Sequence, residues 1–344
     1  MSLVRLCTRS MWAVLAVAAL FWRTPLPEIT TGDVNTTEDS YGDLFSHGLF
    51  VFAVAALHAP RSESARIYAG LGVLAALVGS TLSVAGASYQ GVFRNPLVDP
   101  YLLGVAAGAG LGATVVFTVN RSGSLSWPVD PLPLAAFAGA LVAVLVTYAI
   151  GASFGGTGLT LVLAGVAVAS LGSAVQQFLL LRNSDVIKEV YGWISGRVSS
   201  ATWDDIRLVT PYVVVSCAVL LAHRRHLDVL RVGDDEASTL GAEVRRIRLI
   251  VVIAASLGTA AVVSVSGLIG FVGIMVPHLV RLVAGSSYRL VLPLSILVGA
   301  AFLILADIPG RMIEHGGETP IGVVTALVGA PMFIFVLRTR RSLS

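Results

Sequence analysis

Apolar runs of membrane-crossing length follow one another from residue 67 almost to the C-terminus, separated by short polar turns. They cover residues 67–92, 102–119, 133–153, 159–181, 206–222, 247–264, 268–284, 289–306 and 320–337. About 20 helical residues are needed to cross a hydrocarbon core, so each run predicts a transmembrane helix. Upstream, Met11–Trp22 is a shorter apolar run behind Arg5 and Arg9. No small-residue cleavage site of the A-x-A type follows it, which favours a first membrane helix starting near Leu3 over a removed signal peptide. Arg23–Asp43 is polar and acidic, and Leu44–Leu57 is apolar but too short to span, which suits a re-entrant or interfacial helix. The pattern predicts an all-α polytopic membrane protein with about ten transmembrane helices, forming one domain over residues 1–344 with an outer loop at 23–66.

One long polar segment is set between two of these runs. His223–Arg248 reads HRRHLDVLRVGDDEASTLGAEVRRIR. Asp234, Asp235 and Glu236 open a short helical pattern, where acids complement the positive end of a helix dipole. Gly241 is placed to stop that helix. Arg245, Arg246 and Arg248 then crowd the start of the next apolar run. The segment has two readings: a docking surface, or a solvated connector carrying topology-setting charge.

Composition narrows the class. Only 12% of the 344 residues are charged and 56% are hydrophobic, against about 25% charged in a soluble domain. The 35 glycines fit helices that pack in lipid through small residues. Cys7 and Cys217 lie far apart and offer neither a disulfide framework nor a metal site. Basic residues cluster at membrane edges, so nucleic acid is not implied. The single lysine, Lys188, stands in Val-Ile-Lys-Glu-Val, so the chain has no Gly-Lys-Ser/Thr phosphate loop. Any ATP-driven work must be done on another subunit. With both termini placed in the cytoplasm, the cytoplasmic segments hold 14 of the 23 basic residues, the distribution expected of the inner side. That orientation puts His223–Arg248 in the cytoplasm.

Several further segments carry recognisable patterns. Gly86–Gly104 reads GASYQGVFRNPLVDPYLLG; Pro96 and Pro100 cannot continue a helix, and Asn95 and Asp99 can turn the chain. A helix is expected to end near Phe93 and another to begin near Tyr101. Gly86–Gly104 resembles the Gln-Gly-x-x-x-Asn-Pro-Leu-Ala-x-Pro-x-Leu-Leu-Gly signature of type II ABC importer permeases, which serve ferric siderophores, haem and cobalamin. Leu161–Ala169 (LVLAGVAVA), Trp193–Trp203 (WISGRVSSATW), Gly270–Arg281 (GFVGIMVPHLVR) and Glu318–Phe333 (ETPIGVVTALVGAPMF) resemble further blocks of that family, in order, over about 250 residues.

The resemblance implies ten helices per protomer and two protomers, identical or paralogous, around a central path. It also implies two cytoplasmic ATPase subunits, which hold the ATP and Mg that this chain does not bind, and an external binding protein. Asp234, Asp235, Glu236, Ala237, Leu240 and Gly241 then form the expected ATPase-coupling loop. Asn95 and Pro96, with Thr157 and Gly158, fall where the family narrows its cytoplasmic gate. Gln90, Gln176 and Gln177 either line the path or glue helices together. The family's outer Arg-Leu-Pro-Arg is replaced here by His58-Ala59-Pro60-Arg61. Arg61, Arg66 and Arg311 are the candidates to dock a binding protein, with Asp307 expected to pair with Arg311, four residues on. An ion- or proton-coupled secondary transporter is the alternative. It would place ionisable groups inside the spans, whereas here they lie almost wholly in loops. No cluster of His, Asp, Glu or a nucleophile suggests a membrane-embedded enzyme.

Overall fold

The computed structural model describes the backbone at residues 63–120, 130–198, 202–312 and 319–341, and side chains at 70–120, 130–198, 202–310 and 319–334. The expected first helix, the outer segment to residue 62 and Arg61 lie outside the described residues, as do the side chains of Arg66 and Arg311.

The described chain is helical. In order it forms α1 (Glu63–Val92), α2 (Val105–Val119), α3 (Pro131–Ser153), α4 (Gly158–Arg182), α5 (Ile187–Ile194), α6 (Trp203–Ala222), α7 (Arg224–Leu230), α8 (Asp234–Thr239), α9 (Val244–Ser266), α10 (Val272–Ala284), α11 (Tyr288–Met312) and α12 (Ile321–Arg341). Six of these are long and apolar enough to cross a membrane, and α2, α10 and the first part of α12 are shorter apolar helices. Each of the nine expected runs from residue 67 onward coincides with one of them. The small helices α5 and α7 were not evident from the pattern. α5 is short, and it buries only Val190 and Trp193 along one face.

Small residues set the packing around α1. A Cβ at Gly79 would collide with the Gly299 carbonyl of α11, and one at Gly86 with the Gly273 carbonyl of α10. Gly108 and Gly139 block each other's carbonyls in the same way between α2 and α3. Such close approach replaces the hydrophobic drive that helices lack in lipid. Hydroxyls reinforce it. Ser80 donates to the Ile296 carbonyl at 3.0 Å, Ser216 to Ala254 at 2.7 Å and Thr147 to Leu103 at 3.0 Å. The Tyr89 and Ser256 hydroxyls share a hydrogen bond of 2.5 Å between α1 and α9.

Two expected boundaries are displaced. After the break at Pro96, the helix starts at Val105 and not near Tyr101. Asp99 Oδ1 accepts the Tyr101 N–H at 2.8 Å, and Gly104 takes φ 84°, so residues 99–104 turn before the helix can begin. Residues 268–271, expected inside a span, are not helical: Gly267 just before them and Phe271 both have φ 68°. As a result α2 has 15 residues and α10 has 13, about 22 and 20 Å of helix, well below the ~30 Å hydrocarbon thickness. The two irregular segments meet. The Tyr101 hydroxyl donates to the Ile269 carbonyl at 3.0 Å and accepts the Ile269 N–H at 3.1 Å. Irregular backbone at this level is tolerated because it is enclosed by protein.

The polar loop carrying α7 and α8 shares one face of the bundle with residues 93–98, 154–157 and 285–287. Arg94, the Gly156 carbonyl and Ser287 all contact residues of the loop or of the first turns of α9.

Candidate functional site at the polar loop

The loop is folded and fixed at both ends. Leu227 and Leu230 of α7 are buried, and Asp228 on the same helix reaches the start of α11. Asp228 Oδ1 accepts the Tyr288 N–H at 2.7 Å, and its Oδ2 accepts the Ser287 hydroxyl at 2.8 Å. Arg231 and Arg289 stand 3.9 and 3.6 Å from the same carboxylate. A carboxylate at a helix N-terminus answers both the orphan N–H groups and the dipole. This clamp on α11 was not apparent from the sequence, because nothing local links residue 228 to residue 288.

Gly233 then turns the chain at φ 129° into α8. The three acids of its first turn fall where the sequence placed them. Ala237 is fully buried and seats the helix, while Asp235 and Glu236 are exposed. Leu240 is 71% and Val232 56% exposed, large apolar groups on an otherwise polar element. Gly241 ends the helix at φ 81°, with its N–H on the Ser238 carbonyl at 2.9 Å and the Ala242 N–H on that of Ala237 at 3.0 Å. A Cβ at Gly241 would meet nothing within 4 Å, so backbone conformation, not space, calls for glycine there.

Beneath α8 lies an ionic cluster. The buried Arg248 donates from Nη2 to Asp234 Oδ2 at 2.7 Å and from Nη1 to the Gly156 carbonyl at 3.2 Å. Arg94, held at φ 50° just past the end of α1, places Nη2 3.6 Å from Asp234 Oδ1. The arginines at the start of α9 therefore do not act alike. Arg245 and Arg246 are exposed, and Arg246 pairs with the exposed Glu243 at 3.4 Å, whereas Arg248 is enclosed.

Asn95, Pro96, Thr157 and Gly158 come together on this face. Asn95 Oδ1 accepts the Leu97 N–H at 3.0 Å, turning the exposed Asn95–Pro96–Leu97 segment. Thr157 Oγ1 caps α4 by accepting the Thr160 N–H at 3.3 Å. Gly158 lies against the Phe93 ring, where an added Cβ would stand 3.4 Å from Cδ1.

The glutamines divide. Gln90 is buried: Nε2 donates to the Gly273 carbonyl at 3.1 Å, and Oε1 accepts from Arg281 Nη1 at 2.6 Å. Gln176 donates to Thr114 Oγ1 at 3.0 Å and joins α4 to α2. Gln177 is exposed on α4 among Leu171, Phe178 and Leu181. Asp307 is half-buried in α11, and its expected partner Arg311 has its side chain outside the described residues. Among the described residues no group of three or more His, Cys, Asp or Glu could hold a metal ion.

Comparison with known proteins gives this geometry its context. The chain is 45% identical over 269 residues to the cobalamin import system permease protein BtuC of Halobacterium salinarum, covering 78% of this chain and 71% of that one. It is 34% identical over 277 residues to the Fe(3+) dicitrate transport system permease protein FecC of Escherichia coli, covering 78% and 80%. It is 33% identical over 270 residues to the hemin transport system permease protein HmuU of Yersinia pestis, covering 78% and 81%. A solved structure described as an inward-facing conformation of a metal-chelate type ABC transporter superposes with a TM-score of 0.73 at 26% identity, over 87% of this chain and 99% of that one. The fold is that of a type II ABC importer permease, and these relatives are transport subunits and not enzymes. The FecCD transport family profile matches residues 62–339, and the chain belongs to that family.

Proposed function

We propose that this chain is the permease subunit through which cobalamin or an iron chelate passes from an external binding protein into the cytoplasm. Two protomers enclose the path, and two ATPase subunits dock on the face that carries α8. The chain itself binds no ATP or Mg and performs no covalent chemistry. Access alternates because each partner binds the two conformations with different affinity. Both termini, with the α8 face, are assigned to the cytoplasm on the basic-residue distribution, and residues 1–344 act as one permease domain.

The observation that carries this reading is α8 itself. It is a folded helix, seated by Ala237, that presents Asp235 and Glu236 to the outside and is flanked by the exposed Val232 and Leu240. A mere solvated connector has no need to order such a helix or to expose two large apolar groups at its ends. The gate is assigned to Asn95, Pro96, Thr157 and Gly158, which lie beside this element. Gln177, on the exposed face of α4, is assigned to the path, and Gln90 and Gln176 to helix packing. Arg61, Arg66 and Arg311 remain the docking candidates for the binding protein on the opposite side. Within the cargo class, the higher identity to a cobalamin permease than to the ferric citrate and haem permeases favours a corrinoid.

The test is reconstitution with the ATPase subunit and binding protein in liposomes, with uptake of cobalamin, haem and a ferric siderophore measured side by side. ATP-dependent accumulation of one of them is expected, with cobalamin the fastest. Uptake that proceeds equally without ATP, driven by an ion gradient, would refute the reading in favour of a secondary transporter.

A further inference from the structure

Arg248 connects two elements that the sequence keeps 78 residues apart. One Nη holds Asp234, the first residue of α8; the other holds the carbonyl of Gly156, immediately before the Thr157 that caps α4. Its side chain is only 8% exposed, so water does not stand ready to replace either partner. Arg94 offers Asp234 a second contact, at 3.6 Å and 48% exposed, which is much weaker.

The residue types suit a mechanical link. A guanidinium is a rigid plane whose two Nη groups can be given to two different acceptors, which a lysine ammonium cannot reproduce over the same span. Gly155 and Gly156 have φ 98° and 65°, two consecutive left-handed residues between α3 and α4, and no atom crowds Gly155. This is the one joint on this face where two consecutive residues take that conformation among those described. Residues that absorb a large backbone change between rigid elements are what a hinge requires. The arginine therefore grips a hinge with one hand and the exposed helix with the other.

We propose that Arg248 is a positioning residue that transmits displacement of α8 to the turn opening α4, making Asp234–Arg248–Gly156 the latch between ATPase docking and the gate at Thr157. The inference rests on the docking reading of α8. Parting α8 from the α3–α4 turn would strand a buried charge, so the two elements move together while the latch holds.

The experiment uses the complete complex of permease, ATPase subunits and binding protein in liposomes. In Arg248→Lys, the ATPase subunits should copurify within twofold of the wild-type amount. Cargo moved per ATP hydrolysed should fall at least fivefold. A fluorophore on Phe154→Cys, an exposed position in the hinge turn, should report an ATP-dependent change in the otherwise unaltered complex and none when Arg248→Lys is added. Asp234→Asn, which preserves shape and removes the charge, should also lower transport per ATP, and Asp234→Asn with Arg248→Gln should be no worse than Arg248→Gln alone. If Arg248→Lys does not accumulate in the membrane, the Asp234→Asn comparison decides. Transport per ATP within twofold of wild type in Arg248→Lys, or in Asp234→Asn where that variant decides, overturns the latch while leaving the docking reading intact. Failure of the wild-type chain to retain ATPase subunits overturns the docking reading, and the latch with it.

Discussion

Replacing Asp228 by alanine removes a carboxylate that serves two helices at once. The hydrogen bond from the Tyr288 N–H at 2.7 Å and that from the Ser287 hydroxyl at 2.8 Å are both lost. Hydrogen bonds to a charged group contribute about 1.5–3 kcal/mol each before other losses are discounted, and removal of a helix N-cap costs about 0.5–2 kcal/mol. The two estimates describe the same atoms and are not summed. The arginines at 3.6 and 3.9 Å are 62% and 47% exposed, so each adds at most a few tenths of a kcal/mol. Asp228→Ala should therefore destabilise the permease by about 2–3 kcal/mol. Asp228→Asn keeps an oxygen for the Tyr288 N–H but loses the charge, and should cost about 1 kcal/mol. Reversible unfolding in mixed micelles, followed by tryptophan fluorescence, measures both. The expected order is wild type, then asparagine, then alanine. An alanine variant within 0.5 kcal/mol of wild type would show that α7 is not held to α11 through this carboxylate.

Further outcomes can be checked independently. Gly86→Leu should prevent accumulation of folded protein, because its side chain has the Gly273 backbone in its way; detergent-extractable monodisperse protein is the readout. Tyr101→Phe removes the hydroxyl that both donates to and accepts from Ile269, and should cost about 1–3 kcal/mol in the same unfolding assay. Glu236→Arg on the exposed face of α8 should leave insertion intact while ATP hydrolysis no longer drives uptake, and normal uptake would remove Glu236 from the docking surface. A cysteine at Asp235 should resist a membrane-impermeant maleimide in intact cells and react in inverted vesicles; the reverse would overturn the assigned orientation. Arg311→Glu should weaken binding-protein association at least tenfold, about 1.4 kcal/mol, in a low-salt binding assay.

How far the chain could be read in advance depended on the range of the interactions. Apolar runs report helices because a helix in lipid must be apolar over its own length, so nine apolar helices from residue 67 onward were visible, six of them long enough to cross a membrane. The end of α8 at Gly241 was visible for the same reason, since a cap is a local device. The late start of α2 was less so: Asp99 and Gly104 build a turn out of residues that look compatible with an early helix. The division among Arg245, Arg246 and Arg248 was hidden, because all three suit a membrane edge and only the fold brings Asp234 and Gly156 to one of them. The partners of Gln90 and Gln176 were hidden too, because Gly273 and Thr114 lie 183 and 62 residues away in the chain.

The burial of α1 bears on how the protein is made. This helix carries Ser80 and Gln90, whose polar groups find Ile296 of α11 and Gly273 and Arg281 of α10 only once those helices pack against it. Its close partners Ser256, Gly273 and Gly299 are encoded 167 to 220 residues after Tyr89, Gly86 and Gly79 respectively. At about 5–20 residues per second of synthesis, α1 waits roughly 10–40 s in the bilayer before its permanent neighbours exist. During that interval its glycine-lined surface is open to any passing helix, its own kind included. Nascent chains stalled before α9 should therefore be the forms most easily captured by membrane chaperones, crosslinked through residues of α1.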